Sequence, residues 1–238
     1  MSTPGTPDPD ERSLRREVPQ RSTNWAKRLA GLLRALRFTP NGISIASVAF
    51  AALGCAAFVA SGFAAASGED ALRATWLVVA ALCAPLRLLC NMLDGMLAVE
   101  GSLSSPTGDL YNEVPDRVSD VLFLAGAGYA ATLVPGAVTV GWVAATLAVL
   151  TAYVRSLGAA QGLSNHFEGP MAKPRRMWVL VVGALLSLFE PMVLVPLGLP
   201  RGTVLVAALV VVALGSVATV IVRLTLIARD LNARSPQA

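Results

Sequence analysis

The sequence predicts an all-α, polytopic membrane protein with six transmembrane helices and an amino-terminal amphipathic helix at the membrane interface. Of the 238 residues, 55% are hydrophobic and only 14% are charged, and the mean hydropathy is +0.62. This composition excludes an ordinary soluble domain and is typical of helices that each place about 20 apolar residues across a bilayer. The apolar runs are separated by short polar connections that carry proline or glycine.

The amino-terminal region precedes the first apolar run. Residues 1–23 are polar, charged and proline-bearing, which predicts a disordered tail. Residues 24–38 form a basic amphipathic pattern, which is typical of a helix lying on an anionic membrane surface. A helix packed against the membrane domain is the alternative. The apolar face of this segment is made of Trp25, Leu29, Leu32, Leu33 and Leu36.

The membrane domain is predicted over residues 39–230, with a carboxyl-terminal tail at 231–238. Proline inside a helix removes a backbone hydrogen bond, so bends are expected at Pro85 and Pro115. Glu190 falls inside an expected span beside Pro191, where it has no assigned chemistry. The six expected spans cover approximately residues 41–63, 72–94, 108–133, 137–157, 177–197 and 203–227.

The basic residues predict the orientation in the membrane, which we expect to be the cell inner membrane. Cytoplasmic segments of membrane proteins are enriched in Lys and Arg. With both termini in the cytoplasm, only Arg73 and Arg201 lie outside, and the polar region 91–120 faces the cytoplasm. The formal net charge of +4 is explained by this asymmetry. Without a recognised motif, we expect no nucleic-acid partner. The inner basic residues are Lys27, Arg28, Arg34, Arg37, Lys173, Arg175, Arg176, Arg229 and Arg234.

One polar stretch interrupts the apolar pattern. Asn91 and Asp94 are three residues apart and share a helical face. A second face recurs every four residues and consists of Gly108, Asn112, Asp116 and Asp120. Carboxylates at membrane depth are costly and usually face a cavity, a metal or a partner. Helix capping, or a salt bridge of Asp116 with Arg117, is the structural alternative.

The stretch from Asn91 to Asp116 resembles the signature of the CDP-alcohol phosphotransferases, D-x2-D-G-x2-A-R-x8-G-x3-D-x3-D. Three residues depart from the pattern: Asn91 and Asn112 stand where the family has aspartate, and Val99 stands where it has arginine. The segment Pro40–Ser44 also resembles the family's PNxxT element, with Ser44 in place of threonine. The positions in register are Asn91, Asp94, Gly95, Ala98, Val99, Gly108, Asn112 and Asp116.

The resemblance implies a phosphatidyltransferase of phospholipid synthesis. Its donor would be a CDP-linked lipid such as CDP-diacylglycerol, its acceptor an alcohol, and its product CMP. The negative charge of the donor's diphosphate has to be neutralised by divalent cations. Carboxylate oxygens are suitable ligands for Mg²⁺ or Mn²⁺. We expect the protein to be surrounded by membrane lipids. The sequence does not decide whether it forms a homodimer.

The same resemblance assigns roles to individual residues. Asp116 would be the general base that takes the proton of the acceptor. Arg155, in the element Tyr153-Val154-Arg155, would bind a phosphate on the acceptor. The CDP pocket would be lined by Gly95, Ala98 and Gly108. The metal ligands would be Asn91, Asp94, Asn112 and Asp116, with Glu113 and Asp120 as alternates.

The departures from the signature leave alternatives open. A rotation of the helix by about one residue, roughly 100°, would exchange Asn112 for Glu113. Arg87 or Arg117 could supply the cation that Val99 lacks. A catalytically degenerate protein that binds lipid or nucleotide is a second functional hypothesis. A small transporter is the third, and it ranks last because no internal repeat is detectable.

Overall fold

The computed structural model describes residues 23–36, 38–100 and 108–234, with backbone only at 98–100, 108, 109 and 112. The expected tail at 1–23 therefore lies almost entirely outside the described residues. All regular secondary structure in the described ranges is helical, and two short 3-10 turns, Ser187–Phe189 and Val195–Leu197, flank α7. The helices are α1 (Asn24–Ala35), α2 (Pro40–Ala66), α3 (Asp70–Glu100), α4 (Gly108–Ala130), α5 (Ala137–Ala160), α6 (Lys173–Leu186), α7 (Glu190–Val193) and α8 (Thr203–Arg234).

Within the described part of the chain, five helical segments are long and apolar enough to cross a membrane. They are α2, residues 70–97 of α3, α5, the segment from α6 through α7, and α8. The remaining expected span, residues 108–133, corresponds to α4, which does not meet the same criterion. Its amino-terminal half is too rich in charge, with Asp109, Glu113, Asp116, Arg117 and Asp120.

Helix α2 is the first long helix of the bundle. Thr39 caps its first turn by accepting a hydrogen bond from the Gly42 N–H at 3.1 Å, and Pro40 fits the first helical position. The helix packs along both α3 and α4, whereas α5 packs between α4 and α8, and α6 packs on α3 and α8. Membrane helices associate through small residues that let backbones approach. A Cβ built on Gly141 of α5 would lie only 2.9 Å from the Gly128 Cα of α4.

Helix α1 packs against the end of α3. Ala26 and Ala30, four residues apart, are buried in a cluster that includes Leu93 and Leu97. Three larger members of the expected apolar face, Trp25, Leu32 and Leu36, are 52%, 56% and 60% exposed. The helix therefore combines a contact with the bundle and an uncovered apolar surface.

Two ion pairs lie at the end of the bundle where α3 begins. Arg73 donates to Glu190 at 2.5 Å, and both side chains are almost completely buried. Glu190 also accepts hydrogen bonds from the backbone N–H groups of Gly202 and Val204, each at 2.7 Å, and so caps α8. At the surface Arg201 binds both carboxylate oxygens of Asp70. Glu190, for which the sequence suggested no partner, is thus a structural residue that joins three helices.

The segment between α5 and α6 is fixed to α8. Arg223 donates to the backbone carbonyls of Thr151, Phe167 and Glu168. The Thr219 hydroxyl accepts a hydrogen bond from the Met171 N–H at 2.9 Å. These contacts position the start of α6 close to α4.

Candidate functional site

Asp116, in the third turn of α4, is the central residue of the candidate site. It is only 6% exposed. Arg87 of α3 donates to its Oδ1 at 2.9 Å and to its backbone carbonyl at 3.2 Å. The side-chain amide of Asn91, one turn further along α3, donates to the same Oδ1. The Lys173 ammonium at the start of α6 contacts Oδ2. One carboxylate thus collects donors from two neighbouring helices.

Asp94 lies beside this group. It is 5% exposed, and its Oδ2 accepts a hydrogen bond from the Ser44 hydroxyl of α2 at 2.6 Å. Since Asn91 contacts Asp116 and lies one helical turn before Asp94, both carboxylates lie on the same side of α3. Gly95, predicted to line a nucleotide pocket, is half-buried next to Asp94.

Asp120 lies deeper in the bundle, one turn beyond Asp116. Its Oδ2 pairs with Arg176 at 2.7 Å, and neither side chain is accessible. Arg176 also donates to the Thr151 hydroxyl at 3.0 Å. The guanidinium of Arg87 is 3.9 Å from the other Asp120 oxygen. This pairing makes Asp120 a structural anchor for α6 more than an alternate metal ligand.

Glu113 and Arg155 form a separate cluster on the side of α5. The Glu113 Oε1 pairs with Arg155 at 2.6 Å, and its Oε2 pairs with Arg117 at 3.2 Å. Arg155 also lies 5.4 Å from the centre of the Phe167 ring, a cation–π distance. In this structure both carboxylate oxygens of Glu113 are paired with arginines, and its role as an alternate metal ligand stays a prediction.

Three predicted site residues lie where the structure gives only the backbone. Ala98 is in the last turn of α3, and Gly108 and Asn112 are in the first turns of α4. Their side-chain surroundings are outside the described part of the chain. The roles expected of them stay predictions.

The donor set can be tested for its fit to a divalent cation. Asp94, Asp116 and the Asn91 amide offer oxygen atoms, the ligands that Mg²⁺ and Mn²⁺ prefer. Among the residues with described side chains, no group of three or more His, Cys, Asp or Glu could hold a metal ion. Two carboxylates and the Asn91 amide oxygen fit such a cation chemically, but they form a donor set of low negative charge.

Sequence reasoning underestimated three residues of this site. Lys173 was attributed to membrane topology, yet its ammonium contacts Asp116. Arg87 was only a substitute for a missing cation, yet it is fully buried against Asp116. Ser44 was a weak match to a short motif, yet it binds Asp94. The role of Arg87 could have been predicted from its spacing of four residues from Asn91, which puts both side chains on one face of the helix.

Comparisons with known proteins identify the fold. No protein-family model matches this sequence, and no curated protein matches it. Solved structures of phosphatidylinositol phosphate synthase (PgsA1) from Mycobacterium tuberculosis do match. The complex with manganese and citrate is 22% identical, with a TM-score of 0.69, covering 90% of this chain and 93% of that one.

Two further structures of PgsA1 agree. The apo form has a TM-score of 0.63 at 22% identity and covers 83% of this chain and 93% of that one. The form with CDP-DAG bound has a TM-score of 0.63 at 23% identity and covers 86% of this chain and 94% of that one. At these identities the likeness establishes a shared fold over nearly the whole of both chains.

Proposed function

We propose that this chain, with the fold of PgsA1, is an integral membrane CDP-alcohol phosphatidyltransferase. It would transfer a phosphatidyl group from CDP-diacylglycerol, or a similar CDP-linked lipid, to an alcohol and release CMP. The observation that carries the proposal is the placement of Asp94 and Asp116, the two aspartates in register with the family signature, as buried neighbours. The PgsA1 structure that holds CDP-DAG supports the choice of donor.

The proposed reaction is a displacement at the phosphorus atom that carries the diacylglycerol. The acceptor oxygen forms a bond to this phosphorus while the bond to the CMP oxygen breaks, and CMP leaves with the electron pair. Asp116 takes the proton of the acceptor hydroxyl. Arg87 and Asn91 both hold Oδ1, so Oδ2 is the oxygen assigned to the proton.

Lys173 has to leave Oδ2 for that step. Its side chain is 22% exposed and flexible, so the ammonium can move from Asp116 towards the anionic diphosphate. In this proposal Lys173 takes part of the charge-neutralising role of the family arginine that Val99 replaces. Arg87, fully buried, keeps Asp116 in position during the exchange.

The proposed cofactor is Mg²⁺ or Mn²⁺, which would neutralise the diphosphate and its leaving group. Asp94 and Asp116 would hold it, with the amide oxygens of Asn91 and Asn112. The PgsA1 structure with bound manganese supports this proposal. Gly95, Ala98 and Gly108 would line the CDP pocket, because glycine and alanine allow the backbone to approach a nucleotide closely.

The proposed membrane arrangement has six spans: the five apolar segments and, in addition, α4. Five spans are supported by length and composition. We place the charged half of α4 at the cytoplasmic face of the inner membrane, together with both termini, because the basic residues concentrate there. The exposed Trp25, Leu32 and Leu36 of α1 would enter the same interface. A homodimer is an untested part of this proposal.

The experiment is an assay of purified protein in detergent with CDP-diacylglycerol and a panel of alcohols, with CMP as the measured product. CMP release that depends on both an alcohol and Mg²⁺ or Mn²⁺, and that forms a phosphatidyl alcohol, would support the function. CMP release with phosphatidic acid, and no phosphatidyl alcohol, as the lipid product would contradict it, because that is hydrolysis.

A catalytically degenerate binding protein is the second candidate, favoured by the two asparagines at aspartate positions and by Lys173 on Asp116. It predicts saturable binding of CDP-diacylglycerol with no CMP release under any condition of the panel. The two candidates are therefore separated by one pair of measurements, binding and product formation.

A further inference from the structure

We propose that Glu113 makes this site selective for alcohol acceptors that carry no phosphate. The inference rests on the proposed transferase function and concerns the part of the site that receives the acceptor. It reverses the expectation, drawn from resemblance, that Arg155 binds a phosphate group of the acceptor.

Glu113, Arg117 and Arg155 form a cluster beside Asp116. Arg117 lies 3.2 Å from the Glu113 carboxylate and 3.8 Å from Oδ2 of Asp116. It therefore links the cluster to the oxygen that we assign to proton transfer. An acceptor whose hydroxyl reaches Oδ2 of Asp116 comes close to Arg117, and through Arg117 to Glu113.

The most exposed side chain of this cluster is the negatively charged Glu113. The side chains of Arg155 and Arg117 are 14% and 24% exposed, whereas that of Glu113 is 40% exposed. Glu113 is thus the most accessible side chain of the cluster, and each of its carboxylate oxygens is paired with one of the two less accessible arginines. Arg155 is also held by the Phe167 ring, which restrains it from turning outward.

The Glu113 carboxylate determines which groups of an acceptor can bind at this cluster. A carboxylate only accepts hydrogen bonds, so it suits the hydroxyl groups of a neutral polyol. A phosphate brings like charge to Glu113 and can reach Arg155 only by displacing that carboxylate from both arginines. Placing like charges side by side is a strong way to reject the wrong ligand. Glu113 thus occupies the anion site that a phosphorylated acceptor would use.

The test compares matched acceptors that differ by one phosphate: glycerol against glycerol 3-phosphate, and inositol against inositol phosphate. The wild-type chain is assayed in detergent with CDP-diacylglycerol, and kcat/KM is measured for each acceptor by CMP release. We expect the unphosphorylated member of at least one pair to be preferred by roughly tenfold or more. A preference for the phosphorylated member in both pairs would overturn the proposal without any mutant.

The variant Glu113→Gln keeps the side-chain volume and removes the charge. We expect it to raise kcat/KM for the phosphorylated acceptor by roughly tenfold, mainly through KM, because Arg155 and Arg117 become available. Glu69→Gln, an exposed glutamate at the opposite end of α3, is the matched control and should change neither acceptor. A lower kcat/KM for the phosphorylated acceptor in Glu113→Gln would contradict the inference.

The outcome also separates this inference from the function on which it rests. If CMP is released with phosphorylated acceptors only, the transferase function stands and the selectivity proposal is wrong. If no acceptor is converted to a phosphatidyl alcohol, the function itself is rejected, and the selectivity proposal with it.

Discussion

The side-chain amide of Asn91 donates to the same carboxylate oxygen of Asp116 that receives the Arg87 guanidinium. An aspartate at position 91 could not do this, because both groups would then be acceptors. The departure from the family signature at this position therefore has a structural counterpart. The amide nitrogen of Asn91 orients the proposed general base, and its amide oxygen is the atom that we propose as a metal ligand.

Asn91→Asp should make the site dependent on a divalent cation for stability. Two unit charges about 4 Å apart interact by roughly 4 kcal/mol at an effective dielectric near 20, so the new carboxylate repels Asp116 unless a cation lies between them. We expect a lower Tm in EDTA and a larger stabilisation by Mg²⁺ than in the wild-type chain, measured by thermal unfolding in detergent. Asn24→Asp, on exposed α1, is the control. Equal Mg²⁺ stabilisation of wild type and Asn91→Asp would contradict the assignment.

Asp116→Asn should lose turnover while it keeps the CDP-linked lipid. General-base catalysis typically contributes ~10²- to 10⁴-fold, and we expect kcat to fall on that scale. Binding of the donor is measured separately by equilibrium titration, and Asp70→Asn at the far end of α3 serves as the control. A variant with near-normal kcat would move the role of general base to another residue. Asp120 is then a poor candidate, because it is fully buried with Arg176.

Lys173→Gln should bind divalent cations more tightly. The lysine ammonium now neutralises Asp116, so its removal leaves that carboxylate more attractive to a metal. We expect roughly a tenfold gain in Mn²⁺ affinity by calorimetry, within the range that one removed charge interaction allows. In the transferase assay the same variant should have a higher KM for the donor. Arg175→Gln is a close control, because Arg175 is an exposed neighbour that contacts only the Pro170 carbonyl among described hydrogen bonds. Similar affinities in both variants would refute the competition.

Arg73→Gln should destabilise the protein without touching the site. Breaking a buried ion pair by removal of one partner typically costs ~3–5 kcal/mol, because the remaining charge is uncompensated. Arg201→Gln breaks the pair with Asp70, whose side chains are 22% and 40% exposed, and should cost less than about 1 kcal/mol. Thermal unfolding in detergent measures both. Equal losses in the two variants would show that burial does not distinguish the pairs.

The periodicity of the sequence placed Asp94 and Asp116 each on a polar face of its own helix. Each is fixed on its helix by the three- and four-residue spacing of neighbouring polar groups, and helices preserve such spacing. Periodicity alone could not determine the rotation of α4. The packing of this helix against α2 and α5 directs Asp116 and Asp120 towards α3 and α6, and directs Glu113 towards Arg155.

The partners of these carboxylates could not be read from the sequence. Lys173 and Arg176 lie in a basic run that membrane topology explains equally well. Their contacts depend on how the α5–α6 segment is held by Arg223 and Thr219 of α8. That attachment is a tertiary feature between distant parts of the chain, and no local pattern encodes it.

The buried pair of Arg73 and Glu190 has a consequence for biogenesis. During synthesis α3 emerges well before the segment that carries Glu190, so Arg73 first enters the bilayer without its counter-charge. Arg73 lies in the first turn of α3, near the end of the span, so its long side chain can reach the headgroups until Glu190 is in place. The arginine can withdraw into the bundle only after α6, α7 and the start of α8 have been inserted. A nascent chain that stops short of Glu190 therefore leaves a charged group for quality-control proteases to recognise, and completion of the last helices conceals it.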